Sequence, residues 1–271
     1  MPGRWAFRLA VVAVAAAFLG GCGGESNLSA ETSRQLQASI AEYETYLQRS
    51  SQKLLHWTET IGLKVKEGSV PRAQSRYAAS KVPAGHIAPV AELPTELPGY
   101  RRIEEAIFKD ESTAAMMPVA RQLRLDVENL QREIESADLS PGQIVAGANR
   151  VLDEILEQQL PGKSESYSGT TLTAIAAQVE GIAAALRAVK PVLADANPEL
   201  LARLEARLRK VYEKVGEYGT FAKAPEQSRP QEPGIAFVVY SEFSPETIRE
   251  IAEPIEGLAG QMAQAEDELE G

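Results

Sequence analysis

The chain has 271 residues, 44% of them hydrophobic, and a formal net charge of −10. That balance excludes a nucleic-acid binder, which needs a basic surface against phosphates, and gives no electrostatic hold on an anionic bilayer. A single cysteine excludes an internal disulfide, and two histidines exclude both a His-rich zinc site and an HExxH helix.

The N-terminus carries Arg4 and Arg8, followed by an uninterrupted apolar run over 9–19. The run is shorter than the roughly 20 residues that span a bilayer and matches the apolar region of a signal peptide. It ends in Leu19-Gly20-Gly21-Cys22. Small residues before a cysteine are the pattern of a lipobox, in which the thiol accepts the lipid. Residues 1–21 are therefore expected to be a lipoprotein signal peptide, Cys22 the lipidation site and 22–28 a flexible polar tether. Residues 29–271 are the expected helical domain. The expected location is extracytoplasmic, on a membrane through the lipid, at the cell surface or a periplasmic face.

The segment 29–66 places Leu36, Ile40, Tyr43, Leu47, Leu54, Ile61 and Val65 at steps of three, four and seven, an apolar stripe on one long helix. Gly68 ends it. Pro71 opens a second helix toward Glu92, expected to kink or break where Pro83, Gly85 and Pro89 occur. After a Pro-rich turn over 93–99 come a short helix over 100–108 and a longer one over 113–135. Ser140-Pro141, Asn197-Pro198 and Ser244-Pro245 pair a cap with a first-turn proline, opening helices to about 158, 218 and 267. Another helix is expected over 170–189. Residues 219–243 read as one long surface loop, and the acidic end over 266–270 as a frayed, hydrated tail. The expected fold is all-α, two packed four-helix-bundle units.

Little catalytic chemistry is on offer. There is no GxSxG, Walker loop or GxGxxG, and a lipidated Cys22 is no nucleophile. No enzyme is expected. His56, beside Trp57, reads as a partly buried structural histidine, and His86 as an exposed one at the kink. Glu104, Glu105 and Asp110 sit beside Arg101 and Arg102 and read as a charged helix start with solvated ion pairs. Tyr77, Tyr100 and Tyr167 are candidate phenolate donors, though each fits a core-edge tyrosine as well.

Gly99-Tyr100-Arg101-Arg102-Ile103-Glu104-Glu105-Ala106-Ile107-Phe108 resembles the Gly-Phe-His-Arg-Ile-Glu-Lys-Ala-Leu-Trp type of segment in imelysin-like proteins. That family includes the EfeO and EfeM type of iron-uptake component. The likeness continues through 68–92, 123–134, 139–156, 165–181 and 237–263. It implies two four-helix units around a cleft in a cell-envelope protein, with iron held there by histidine and carboxylates. The partners it implies are the membrane, through the lipid, and an iron-uptake permease or peroxidase.

The departures fall on the expected ligands. Arg101 stands in place of the family's histidine, and a permanent cation cannot ligate a metal. Gly85 and Ala88 stand about where the second helix usually carries acidic residues. Gly169 and Thr171 replace the His and Asp of a Tyr-Ser-His-Thr-Asp segment, while Tyr167, Ser168 and Thr170 persist. Two readings remain open. The chain is an iron-binding uptake component using Glu104, Glu92 and Tyr77. Alternatively it is a scaffold or partner-binding lipoprotein without metal, in which Arg101 and Arg102 pair with Glu104 or hold an anion.

Overall fold

The computed structural model describes residues 28–90, 98–162, 167–218 and 243–270. Among the described residues there are eight α-helices, two of which continue into a π-helical turn, and no strand. Cys22, Glu92 and nearly all of the long loop over 219–243 lie outside them.

Helix α1 (Ala30–Lys66) starts at Ser29, whose hydroxyl accepts the Thr32 N–H at 3.0 Å, and buries Tyr43, Leu47, Leu54, Ile61 and Val65 along the stripe read from the sequence. Helix α2 (Val70–Ile87) follows after a tight turn at Gly68, with Pro71 in its first turn. The break expected near Pro83 does not occur there. Pro83 is buried inside a continuous helix that ends only at Ile87, because packing against α1 and α6 outweighs one missing N–H bond.

Helix α3 (Pro98–Glu104) runs into a π turn (Glu105–Lys109), in which the Asp110 N–H reaches back to the Glu105 carbonyl at 3.1 Å. Helix α4 (Met117–Ser136) begins four residues later than its apolar pattern predicts. Glu111 and Ala115 adopt left-handed backbone (φ 47° and 58°), which no helix can continue through. Helix α5 (Pro141–Glu154) opens on a reciprocal capping box between Ser140 and Gln143 and also ends in a π turn (Ile155–Gln159).

Helix α6 (Thr171–Ala196) passes straight through Pro191 and is longer than expected, since Val192 and Leu193 beyond the proline are buried. Helix α7 (Pro198–Gly216) is capped by the Asn197 side chain on the Leu200 N–H at 3.0 Å. Helix α8 (Pro245–Glu270) extends to the end of the acidic stretch. This stretch is no frayed tail: Glu266 accepts from Asn149 at 3.0 Å and Glu268 from Asn197 at 3.4 Å.

The fold is all-α, as expected. Helices α5, α6, α7 and α8 form a ring of neighbours, a four-helix bundle. The other unit is built from α1, α2, α3 with its π turn, and α4. Helix α6 belongs to both, packing on α1 and α2 as well, so the two units are joined along one central apolar helix.

Glycines set how closely they join. At Gly85 a side chain would meet the Ala177 and Gln178 backbone at 2.7 Å, and at Gly181 it would meet the carbonyl oxygens of Gly85 and His86 at 2.8 and 2.9 Å. A β-carbon at Gly147 would overlap the Pro89 carbonyl oxygen outright. Backbone atoms are the obstacle, so they cannot swing aside. Gly147→Ala is therefore expected to destabilise the fold by about 1–3 kcal/mol, read as a fall of several degrees in Tm by thermal denaturation.

Candidate functional site

Glu104 ends α3 and is only 4% exposed. A carboxylate so placed needs partners, and it finds them in backbone amides. Its Oε1 accepts the N–H of Ser168 at 2.9 Å and of Tyr167 at 3.3 Å. Close by, the hydroxyls of Ser168 and Thr170 are bonded at 2.9 Å, and Thr170 leads into α6. The carboxylate thus sits just ahead of a helix N-terminus, where negative charge is favoured. Sequence reading took Glu104 for part of a solvated charge cluster. It is instead the tie between two segments 64 residues apart.

Beside it lies an aromatic nest. Tyr77 from α2 is fully buried and meets the rings of Tyr100 and Phe108 edge-on, each at 5.6 Å between centroids. Tyr77 and Tyr100 belong to the core, not its edge. The Lys81 ammonium, one turn along α2, stands 4.8 Å from the Tyr77 ring centre and 5.0 Å from that of Tyr100. Lys81 is 6% exposed. A desolvated cation between two ring faces is stabilised by about 0.5–2 kcal/mol per ring.

Of the residues singled out from the sequence, Glu104, Tyr77 and Tyr100 are thus brought into one region. Arg101 and Arg102 are exposed, and no ion pair joins either to Glu104 among the described residues. The surface beside them carries a different pair: Lys109 bonds Glu105 at 2.7 Å and lies 5.1 Å from the ring centre of Tyr167. Lys109 lowers the Glu105 carboxyl, mainly through that hydrogen bond, and is itself raised by it. Both side chains remain exposed. Tyr167 is 38% exposed, so it stands apart from the buried tyrosines.

Sequence reasoning missed Lys81. Its signal was a lone lysine in a run of small residues, four positions after Tyr77. It also missed a second polar cluster. His86, expected to be exposed, is only 14% exposed and bonds Glu180 of α6 through Nε2 at 2.6 Å. The Tyr46 ring from α1 leans on the imidazole at 5.4 Å and stacks with Tyr43 at 6.3 Å. The hydroxyls of Tyr43 and Tyr46 are buried without a hydrogen-bond partner. Burial raises both phenols well above their ordinary range, and Glu180 raises Tyr46 further. Tyr212 of α7 is pushed up to about 12 by burial and by Glu180. His56 reverses its expectation in the other direction: it is exposed, its ring tilted against that of Trp57 at 5.3 Å between centroids.

No group of three or more His, Cys, Asp or Glu side chains placed to hold a metal occurs among the described residues. The imelysin family model matches residues 64–236, more than half of the sequence. The chain belongs to the imelysin family. An iron uptake system component EfeO of Escherichia coli is 30% identical over 205 residues, covering 68% of this chain and 55% of the relative. EfeO of Shigella flexneri and EfeO of Shigella sonnei match to the same extent. This imelysin-family chain therefore spans about half the length of the curated relatives it matches.

Within the family frame, the geometry has a clear pattern. The Gly99–Phe108 and Tyr167–Gly181 segments, which carry the resemblance, meet at Glu104. Where the sequence suggests the family's acidic residues, Gly85 is closed in by backbone and no carboxylate fits. Glu104→Ala is expected to cost about 1–3 kcal/mol in chemical denaturation, because the amides of Tyr167 and Ser168 lose their acceptor. Glu104→Gln keeps one acceptor oxygen and is expected to cost less. Faster hydrogen exchange at the Ser168 amide in Glu104→Ala checks the cause.

Proposed function

We propose that the chain is a cell-envelope lipoprotein associated with iron uptake, acting as a scaffold for a partner and not as a binder of the bare ion. The association with iron uptake rests on membership of the imelysin family and on relatives named for that system. The scaffold reading rests on one observation above the others: Glu104, the family-pattern carboxylate, holds the Tyr167 and Ser168 amides through Oε1, with the Lys81 ammonium in the aromatic nest alongside. Tyr77 is fully buried with its ring against that ammonium.

The lipid anchor at Cys22, the signal peptide over 1–21 and the tether over 22–28 complete the reading. They give an extracytoplasmic body held at a membrane, with an envelope permease or peroxidase as the class of partner. No peptidase role is proposed: His86 is bonded to Glu180, but no serine or cysteine side chain is bonded to either histidine among the described residues, and no group of side chains placed to hold a metal occurs among them.

Two measurements test this. The full chain, incubated with ferric and ferrous iron and with zinc as control, is expected to retain no stoichiometric metal. Stoichiometric iron with micromolar or better affinity would overturn the scaffold reading and restore Glu104, Glu92 and Tyr77 as ligands. In cells of the source type, Cys22→Ser is expected to move the protein from the membrane to the soluble fraction and to remove the lipid from its mass spectrum. Unchanged fractionation refutes the anchor.

A further inference from the structure

Helix α6 reaches the surface through very few residues. From Thr171 to Lys190 every position is buried except Glu180, Arg187 and Lys190. Steps of seven and three place these three on one side of the helix. There the seam between α6 and α7 opens into a groove of about 250 Å³, lined by Arg187 and Lys190 from α6 and by Glu205, Arg209 and Tyr212 from α7. Lys190 bonds Glu205 at 2.7 Å, so that pair is internally neutral. Arg187 and Arg209 make no ion pair among the described residues. The groove therefore keeps two uncompensated positive charges in a chain whose net charge is −10.

We propose that this groove binds a small multivalent oxyanion, a polycarboxylate or phosphate, between the guanidinium groups of Arg187 and Arg209. Two planar forks on facing helices match an ion with several oxygens, because each fork gives two parallel N–H donors. Leu186 and Leu208 supply apolar wall, which concentrates the field of the two cations in the concavity. The volume falls below the ~300–1,000 Å³ typical of pockets for drug-sized ligands, so it suits a compact ion. A bare metal cation is the wrong sign for two arginines. The floor is polar also: Arg187 is near enough to Tyr46 and Tyr212 to oppose the pull of Glu180 on both phenols. The inference stands whether or not the chain retains iron.

Isothermal titration of the full chain with citrate, and separately with phosphate, at low ionic strength and with chloride as control, tests it. The expected result is saturable, one-to-one binding of at least one of the two. Arg187→Gln and Arg209→Gln are each expected to weaken it about tenfold. Arg203→Gln, on the same helix but bonded to Gln261, is expected to leave it unchanged. Binding of citrate alone identifies a polycarboxylate site, and binding of phosphate alone an inorganic one. Both arginines are exposed, so the variants should fold, and matched melting curves verify that. Failure of both ions to bind, or binding that survives both glutamine variants, overturns the proposal.

Discussion

Between Gly85 and Gly181 the backbones of α2 and α6 touch, and much of the molecule follows from that contact. Helices separated by ordinary side chains lie 8–10 Å apart. Here one side of each interface is bare main chain. The approach welds α2, and through it α1, onto the bundle of α5 to α8, so the two units share a single core. It also brings the next residue on each helix together. His86 follows Gly85 and Glu180 precedes Gly181, and these two form the short hydrogen bond at the edge of the contact. The same closeness leaves no room for a carboxylate at position 85.

Two polar clusters interrupt this core, and they are handled differently. At Glu104 the charge is answered by backbone amides from a loop, while Lys81 is answered by ring faces. The two charges are thus met by different kinds of group, backbone amides at Glu104 and ring faces at Lys81. Around His86 and Glu180 the arrangement is less complete. Two phenolic hydroxyls are buried without partners there, and each such group costs about 1–3 kcal/mol. These polar groups lie next to the groove that Arg187 and Arg209 line.

Much of the fold was legible from residue pattern. Ser140, Asn197 and Ser244 each precede a proline, and each of the three helices begins there. The α1 stripe predicted its buried face because a period near 3.6 needs no tertiary information. What escaped the sequence was decided by contacts across it. Pro83 reads as a kink or break and the helix expected over 170–189 stops short of Pro191, yet both prolines sit inside continuous helices pinned by neighbours on several sides. Glu104 read as a surface charge because its immediate neighbours are charged, while its real partners are amides more than sixty residues away. The pairing of His86 with Glu180 is equally silent in one dimension. The π turns at 105–109 and 155–159 left no trace in the apolar spacing.

Helix α6 has a further consequence before the protein is folded. Its 26 residues are long and apolar enough to cross a bilayer, with a mean hydropathy of 1.4 in their most apolar window, and 89% of that window is buried in the finished fold. A chain threaded unfolded through a translocation channel would present this segment to lipid, where it resembles a stop signal. Arg187 and Lys190 change that outcome. A lysine or arginine costs about 2.5–3.5 kcal/mol at the centre of an inserting helix and less toward its ends, where Arg187 and Lys190 stand, so the pair would bias the segment modestly toward passing through. If the chain is exported as proposed, the charges that line a groove in the native state would also help this segment through the channel.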